Sequence, residues 1–413
     1  MIECILIENS KSLRHVDLTL GRLNLFIGTN ASGKSNFFDA LRVIQGIGYG
    51  FTIGEVLDGK PKSATSEVWD AIRGGSANAL FRDGNDNSSV GEAVRLTLRL
   101  APKQRLGDTQ EFMVALSALD GCVREERLTC GKDIYNSNPG SPPLITNRPS
   151  SPVWEVRYDQ GKRGKQPHLS FEKSRAVLQQ LPKRPECSKL HLPTLEGVME
   201  QLSNMQRIDP SPLILRGYSQ AHSIQRMGER GENFAALVNS ICADSSSKSA
   251  FLSWLKELTP TELDEVGTRP GAVGEPMFVL KERDREFPAP VLSDGTLRFA
   301  AITAAFFQPD LPDILTIEEI ENAVHASRLR LLVELLRSQA RQGKVQIMAT
   351  THSPIVLSWL EPEEYATTFY CKRDVQTGES KICPLIEIPS FAEIVKKQPI
   401  SELFAEGWME AAL

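Results

Sequence analysis

The sequence lacks the features that would place the chain in a membrane or hold it together by disulfides. No apolar stretch approaches the roughly 18 residues that a transmembrane helix needs, and the N-terminus has no basic start followed by a long apolar core. The seven cysteines are dispersed and form no CxxC pair, which argues against a disulfide framework and against a zinc site. We therefore expect a protein of the reducing cytoplasm with no membrane partner.

Excess positive charge, internal repeats and sustained heptads are missing as well. The net charge of −5 does not indicate a general polyanion binder, although a local basic cluster could still bind nucleic acid. Without heptads, no long coiled coil is expected. A chain of 413 residues with 41% hydrophobic and 24% charged residues is typical of a globular protein with two domains, or with one large domain and an insertion.

A glycine-rich loop is the first feature that carries chemistry, in "LNLFIGTNASGKSNFFDALRVI" at residues 23–44. Leu23–Ile27 is a short apolar run suited to a buried strand, Gly28–Ser35 matches GxxxxGK[ST], and a helical pattern follows. In such a loop the backbone N–H groups surround phosphate oxygens, Lys34 reaches the β- and γ-phosphates, and the Ser35 hydroxyl ligates Mg²⁺. The flanking strand and helix favour this interpretation over a chance glycine loop.

A second apolar run ends in two adjacent carboxylates, in "DILTIEEIENAVH" at residues 313–325. Alone, the pattern fits a solvated helix start equally well, because acidic residues favour that position. Beside a P-loop, however, an acid at the end of a neighbouring strand holds Mg²⁺, and a second acid can orient or deprotonate water. We therefore assign Glu318 to the metal and Glu319 to the water.

A third strand runs over Val345–Ala349 and leads into "TTHSP", where His352 follows the strand end. A single histidine is more often structural than catalytic. In open α/β sheets, however, ligands bind at the carboxyl ends of the strands, which favours a role in the site. Three strand ends would thus deliver Lys34, Glu319 and His352 to one crevice.

A helix start is indicated by "PVLSDGTLRFAAI" at residues 290–302, since serine, aspartate and glycine favour caps and turns. On its own, Ser293 is an ordinary N-cap. Its meaning depends on the motifs around it.

These motifs, in this order, resemble the ABC-type ATPase heads of the SMC and RecF group, and in particular the predicted ATPases related to the OLD family that are often labelled AAA ATPases. The family order is Walker A, a long insertion, a signature loop, Walker B, a D-loop and a switch histidine. The matching segments here are "GTNASGKSN", the middle of the chain, "LSDGT", "LTIEE", "NAVH" and "THSP". "KSL" at 11–13 also resembles the N-terminal KS segment of SMC heads.

The resemblance implies an α/β fold. The expected architecture is a P-loop NTPase head of the ABC type with a mixed central sheet, an antiparallel β-subdomain and a compact inserted lobe of helices and strands, without a long coiled coil. Residues 1–100 would form the N-terminal part of the head, 101–275 the inserted lobe, and 276–413 the C-terminal part. OLD nucleases continue into a Toprim domain at this point, whereas this sequence ends, so no intrinsic nuclease of that type is expected.

The resemblance also implies ATP and Mg²⁺ as cofactors and a homodimer that forms around ATP, either alone or as part of a larger assembly. In such heads the signature loop contacts the γ-phosphate held by the opposite subunit, so two heads enclose two ATP molecules and separate after hydrolysis. Catalytic roles fall on Lys34, Glu319 and His352, and metal binding on Ser35 and Glu318. ATP-binding residues in the same chain are Asn30, Ala31, Ser32, Gly33, Lys34, Ser35 and Asn36, with Ser293, Gly295 and Thr296 contributed by the partner.

Several positions depart from the family pattern. Glu318 replaces the usual aspartate, Ile320 replaces a frequent proline, and Ala31 stands where glycine is common. The alanine is harmless if its position keeps a negative φ. No Q-loop glutamine can be placed, because Gln45 is available but nothing singles it out.

The densest basic stretch spans residues 157–189 and offers a DNA path. Its cations could contact phosphates, and Trp154, Tyr158 and Phe171 could stack on bases. The favoured alternative is a solvated basic edge with the aromatic rings in the core, because these rings fall at strand-like positions.

The function that the resemblance favours is an ATP-gated dimeric switch that controls a separate effector, a nuclease or a toxin, in bacterial anti-phage defence. A RecF-like repair ATPase that binds DNA directly is one alternative, and an ATP-binding scaffold with low turnover is another. A P-loop kinase fits less well, since such enzymes need neither the SDG signature nor the Glu-Glu and histidine set.

Overall fold

The computed structural model describes residues 1–60, 69–82, 93–102, 108–137, 151–161, 166–220, 224–258 and 263–413. The strands are β1 (Ile2–Ser10), β2 (Leu13–Thr19), β3 (Leu23–Ile27), β4 (Val94–Leu100), β5 (Gln110–Ser117), β6 (Cys122–Cys130), β7 (Lys132–Asn136), β8 (Val153–Tyr158), β9 (His168–Glu172), β10 (Met205–Ile208), β11 (Leu263–Pro270), β12 (Pro276–Glu282), β13 (Arg285–Pro288), β14 (Ile314–Ile317), β15 (Gln346–Thr351), β16 (Thr368–Arg373) and β17 (Ser380–Pro384).

The helices are α1 (Lys34–Gly48), α2 (Ile53–Asp58), α3 (Val177–Gln180), α4 (Leu192–Ser203), α5 (Pro212–Leu215), α6 (Phe234–Ala243), α7 (Ser245–Leu258), α8 (Asp294–Phe307), α9 (Leu329–Arg341), α10 (Pro354–Leu357), α11 (Phe391–Ile394), α12 (Ile400–Ala405) and α13 (Trp408–Ala412). The chain divides into two compact units. The first comprises Met1–Gly21, Gly28–Met205 and Tyr370–Pro384, and the second comprises Arg22–Ile27, Gln206–Phe369 and Leu385–Leu413.

The first unit is built on an antiparallel sheet with strand order β2-β1-β4-β5-β6-β7-β8-β9. Strand β4 shows why these segments form such a sheet, since its burial alternates along the strand: Leu96 and Leu98 are buried, whereas Arg95 and Arg99 are exposed. An alternating pattern suits a sheet with one face in the core and the other in solvent. Helix α1 packs against α4 in the same unit.

The second unit contains a parallel core in which β14 pairs with β15, and β15 pairs with β3. Every residue of these three strands is buried, as expected for parallel strands covered on both faces. The register pairs Ile317 with Ala349 and Thr351 with Ile27, so the three carboxyl ends lie at one edge of the sheet. Strand β10 lies beside β14, on the side of β14 opposite to β15.

A small antiparallel sheet, β11-β12-β13, belongs to the same unit and packs against α6 through the rings of Phe234 and Phe278. The sequence prediction of an α/β fold with an antiparallel subdomain is confirmed. The longest helix in the described part of the chain has 15 residues, so these residues contain no long coiled coil. Among them, no helix combines the length and apolarity needed to cross a bilayer.

A buried carboxyl group ties β6 to the start of α3 in the first unit. Glu126 is 0% exposed, and its carboxyl oxygens accept hydrogen bonds from the Tyr135 hydroxyl (2.7 Å) and from the backbone N–H groups of Val177 (2.6 Å) and Leu178 (2.9 Å). Burial raises the pKa of Glu126 from 4.5 to about 7, since it penalises the charged form more than these donors stabilise it. The folded state therefore binds an extra proton between these two pH values.

The Glu126 carboxyl should make stability fall as pH rises from 4.5 to about 7, because the unfolded chain loses the proton first and the folded chain must then ionise a buried acid. Glu126→Gln keeps the size and the acceptor oxygen but cannot ionise. Relative to this variant, the wild type should lose up to about 3 kcal/mol of unfolding free energy across that window, measured by urea denaturation. Glu111→Gln on the exposed face of β5 is the control and should follow the wild type. Parallel pH profiles for wild type and Glu126→Gln would contradict the assignment.

Candidate active site

The Walker A loop lies in the first unit and leads into α1, whose N-cap Gly33 has a φ of 105°. Lys34 is 8% exposed, and its ammonium donates to the carbonyl oxygens of Gly28 (2.6 Å) and Thr29 (2.8 Å). The charge thus lies inside the loop, beside the N-terminus of a 15-residue helix. A phosphate oxygen would give this ammonium a charged acceptor, which forms a stronger hydrogen bond than a carbonyl.

The backbone at the tip of the loop decides whether the alanine there is harmless. Ala31 has a φ of 63°, in the left-handed region, so the condition of a negative φ is not met. A residue with a side chain in this region raises the free energy of the folded state by about 1 kcal/mol, because its Cβ approaches the following carbonyl oxygen. Asn30 and Ala31 are exposed, whereas Ser32, Gly33 and Lys34 are buried and Ser35 and Asn36 are half-buried.

The KS segment contacts the first two turns of α1. The Lys11 ammonium forms an ion pair with Asp39, and the Asn36 amide donates to the Ser12 hydroxyl at 2.6 Å. Arg73 donates to the Ser35 carbonyl oxygen at 2.7 Å and also pairs with Asp39. Arg73 was missed in the sequence, because an isolated arginine between motifs gives no signal of its position.

The Walker B carboxylates follow β14 in the second unit. Glu319 has a φ of 47°, and its N–H donates to the Thr350 hydroxyl at 2.8 Å. The N–H of Ile320 donates to the Thr350 carbonyl oxygen at 3.1 Å, and the Asn322 amide donates to the Glu319 carboxylate at 2.7 Å. The end of β14 is thus fixed to β15 through Thr350, which no motif had indicated.

Glu318 points to a guanidinium. An oxygen of its carboxylate lies 3.3 Å from a nitrogen of Arg207, and Arg207 also pairs with Glu229 at 3.2 Å. Carboxylate and hydroxyl oxygens such as those of Glu318 and Ser35 are hard ligands that suit Mg²⁺, which is usually held by one or two protein ligands together with phosphates and water. The described residues contain no group of three or more His, Cys, Asp and Glu side chains suited to a metal.

His352 follows β15 and is bound to the segment after Walker B. Its N–H donates to a carboxylate oxygen of Glu321 at 2.7 Å, and its Nδ1 lies 2.9 Å from the same oxygen. A carboxylate in contact with one ring nitrogen orients the imidazole and leaves Nε2 for other partners. Glu321, which was not assigned a role from the sequence, is therefore the residue that positions His352.

The signature loop is the N-terminus of α8. The Ser293 hydroxyl accepts from the Thr296 N–H at 3.1 Å, so the residue is an N-cap as its sequence predicts. Ser293 and Asp294 are exposed at this end. Gly295 has no room for a side chain, because a Cβ there would lie 2.6 Å from the carbonyl oxygen of Ala323, in the segment after Walker B. One turn further on, Arg298 is buried, and its guanidinium donates to the carbonyl oxygens of Glu318 and Glu319 at the end of the Walker B strand.

The structure therefore assembles the predicted residues into two groups. The first unit holds the loop residues Asn30–Asn36, and the second holds the signature residues, Glu318, Glu319 and His352 together with their unpredicted partners. Those partners are Arg207, Arg298, Glu321 and Thr350. The catalytic and binding roles of the individual residues stay predictions.

The aromatic residues of the basic stretch lie in the core. Trp154, Tyr158 and Phe171 are 3%, 0% and 2% exposed, so these rings cannot stack on bases, and the expectation that they lie in the core is confirmed. The solvated basic edge stays a prediction. Arg157 pairs with Asp133 at 3.2 Å. Lys162, Arg163 and Lys165 lie outside the described residues.

Two features define the class of this protein. One is the strand–GxxxxGKS–helix element, and the other is the set of parallel strands that end at the Walker B acids and at a histidine. The protein is therefore a P-loop ATPase of the ABC type. Residues 23–358 match the family described as "AAA domain, putative AbiEii toxin, Type IV TA system". The chain belongs to this family.

The chain is also similar to one protein by sequence and to two solved structures by fold. A Helicobacter pylori protein called ATP/GTP phosphatase is 24% identical over 377 residues, which cover 86% of this chain and 85% of the relative. An SmcHead bound to the C-winged helix domain of ScpA has a TM-score of 0.52 and 11% identity, over 92% of this chain and 96% of that chain. The SMC head domain from Thermotoga maritima has a TM-score of 0.46 and 12% identity, over 93% and 98% of the two chains.

The SmcHead likeness shows that the chain has the fold of SMC heads. Together with the family, it confirms the predicted resemblance: the chain has an SMC-head fold and belongs to a family of AAA domains.

The close approach of Gly295 to Ala323 predicts a specific sensitivity. Gly295→Ala should lower the unfolding free energy by about 1–3 kcal/mol, because the added Cβ must displace the backbone after Walker B. Gly267→Ala in β11 of the same unit is the control, since a Cβ there has nothing within 4 Å. The control should be neutral or slightly stabilising in thermal denaturation. Equal stabilities of the two variants would contradict the contact.

Proposed function

We propose that the protein hydrolyses ATP with Mg²⁺, dimerises around the nucleotide, and uses its nucleotide state to control a separate effector, a nuclease or toxin, in bacterial anti-phage defence. The observation that carries the proposal is the exposed N-terminus of α8 at Ser293, in the same unit as Glu319 and His352. An exposed helix N-terminus offers unpaired N–H groups and positive potential to a phosphate from another molecule.

The residues of the chain divide the reaction among them. The backbone of the Walker A loop and Lys34 hold the β- and γ-phosphates. Mg²⁺, held by Ser35 and Glu318, would neutralise charge on these phosphates. Glu319 accepts a proton from the attacking water, whose oxygen bonds to the γ-phosphorus as the bond to the bridging β–γ oxygen breaks, giving ADP and phosphate. His352 lies at a strand end in the same unit, where it contacts the γ-phosphate.

The segments 1–100 and 276–413 supply these groups, and we assign 101–275 to the inserted lobe. The name of the Helicobacter pylori relative supports phosphatase chemistry on ATP, and the family description supports a link to toxins. DNA contact through 157–189 would rest on its cations alone, since the three aromatic rings are buried. Stimulation of turnover by DNA would favour the repair alternative, and a wild type without turnover would favour the scaffold.

Replacement of the general base gives the first test of this function. Glu319→Gln should bind ATP but release phosphate roughly 10²–10⁴-fold more slowly, because the amide cannot accept the proton. The variant should also accumulate as an ATP-bound dimer in analytical ultracentrifugation. Glu363→Gln, an exposed glutamate of the same unit, is the matched control and should keep wild-type turnover. Equal rates for wild type and Glu319→Gln would refute the assignment of the base.

The second test concerns the signature loop. Ser293→Arg should leave ATP affinity nearly intact, since the loop is proposed to act on the partner's nucleotide, but it should abolish ATP-dependent dimerisation and turnover. Ser253→Arg on the exposed side of α7 introduces the same charge away from the loop and serves as the control. ATP affinity follows from titration with a fluorescent ATP analogue, and dimerisation from sedimentation. A Ser293→Arg variant that still dimerises with ATP would contradict the proposed sandwich.

A further inference from the structure

Arg298 is a buried cation at the junction of two motifs. It lies in α8, one turn beyond Ser293, and it is 3% exposed. One terminal nitrogen of its guanidinium donates to a carboxylate oxygen of Asp209 (2.9 Å) and to the Pro210 carbonyl oxygen (2.8 Å). The other donates to the carbonyl oxygens of Glu318 (3.0 Å) and Glu319 (3.2 Å). Two of its four contacts thus hold the Walker B backbone.

Glu319 needs such support because its backbone is strained. A φ of 47° is in the left-handed region, which a residue with a side chain adopts only when its surroundings impose it. The peptide group before Glu319 is held on two sides, since the Thr350 hydroxyl accepts its N–H and Arg298 binds its carbonyl oxygen. The peptide group after Glu319 is held by Arg298 and by the Thr350 carbonyl oxygen. Together these contacts fix the direction of the Glu319 side chain.

We propose that Arg298 is a positioning residue for ATP hydrolysis, which holds the main chain of Glu319 from the helix whose N-terminus is the signature loop. The inference rests on the proposed function, in which Glu319 is the base and Ser293 meets the partner's nucleotide. Its consequence is that each signature loop is connected to the base of its own chain. A second contact supports this connection, since Gly295 packs against Ala323 in the segment that follows Glu319.

A structural role for the ion pair with Asp209 is the competing explanation, and it makes different predictions. Asp209 is 47% exposed, so its charge is partly solvated and its removal should be tolerated. Asp209→Asn removes the ion pair but leaves the contacts with the carbonyl groups of Glu318 and Glu319. Arg298→Lys keeps the positive charge but lacks the forked donors that reach both carbonyl groups and Asp209.

The decisive experiment measures kcat and KM for ATP in these variants. Arg298→Lys should lower kcat roughly 10–100-fold through misplacement of the base, with KM within about twofold of wild type. Asp209→Asn should stay near wild type in both parameters. The double variant Arg298→Lys/Glu319→Gln should be no slower than Glu319→Gln, because the two changes remove one function. Equal losses in Arg298→Lys and Asp209→Asn, or additive losses in the double variant, would overturn the inference.

A rescue experiment covers the case in which Arg298→Lys folds poorly. Arg298→Ala leaves a cavity for a free guanidinium, so millimolar methylguanidinium should restore part of kcat in this variant and none in Glu319→Gln. Restoration in neither variant, with Arg298→Ala folded by circular dichroism, would count against the positioning role.

Mixed dimers separate the inference from the function on which it rests. Lys34→Ala chains mixed with Ser293→Arg chains should recover activity, because one of the two composite sites then has intact Walker and signature motifs. Lys34→Ala mixed with Arg298→Lys should not recover it, because the only chain with intact Walker motifs has a misplaced base. Failure of the first mixture contradicts the shared site of the proposed function. Recovery in both mixtures contradicts action of Arg298 on its own chain.

Discussion

The parallel pairing of β14 with β15, and of β15 with β3, is the constraint on which the second unit depends. In parallel ladders the carboxyl ends of neighbouring strands meet at one edge, and here Ile317 lies opposite Ala349 and Thr351 opposite Ile27. The residues that follow, Glu318 and His352, therefore leave the sheet from the same edge, and the Walker A sequence begins directly after β3. A slip by one residue would reverse the side chains of β14 and aim its acids elsewhere.

Arginines organise the acidic end of β14 in two different ways. Arg207 pairs with the side chain of Glu318, whereas Arg298 binds its main chain. The extra methylene of Glu318, compared with the usual aspartate, lengthens the reach of the carboxylate that meets Arg207. A cation that binds Glu318 must compete with this guanidinium, so the pair sets the electrostatic environment in which Mg²⁺ would be held. The glutamate that departs from the family pattern at position 318 is thus paired with Arg207 in the same unit.

Much of this arrangement could be predicted from the sequence, since the informative patterns are local. The GxxxxGKS spacing, the apolar run Leu23–Ile27 and the Ser293 cap depend on near neighbours. What could not be predicted depends on contacts between distant segments: the burial of Arg298 and the hydrogen bond from the Glu319 N–H to the Thr350 hydroxyl. One sequence feature does indicate the burial of Arg298, because this arginine stands in a largely apolar stretch of the helix at a position that faces the core.

Helix α8 has properties that suit a connection between two sites rather than a simple cap. Its N-terminus is exposed at Ser293, yet every residue from Leu297 to Phe306 is buried, so the body of the helix is held by close packing. A displacement at the exposed end cannot be absorbed by bending within such a helix. Part of it would reach the Walker B segment, which α8 contacts at Ala323 and at the backbone of Glu319, as well as the helices α5, α6, α7 and α9. Because the φ of Glu319 is strained and Arg298 of α8 binds its main chain, a shift of α8 would act on the backbone that directs this side chain.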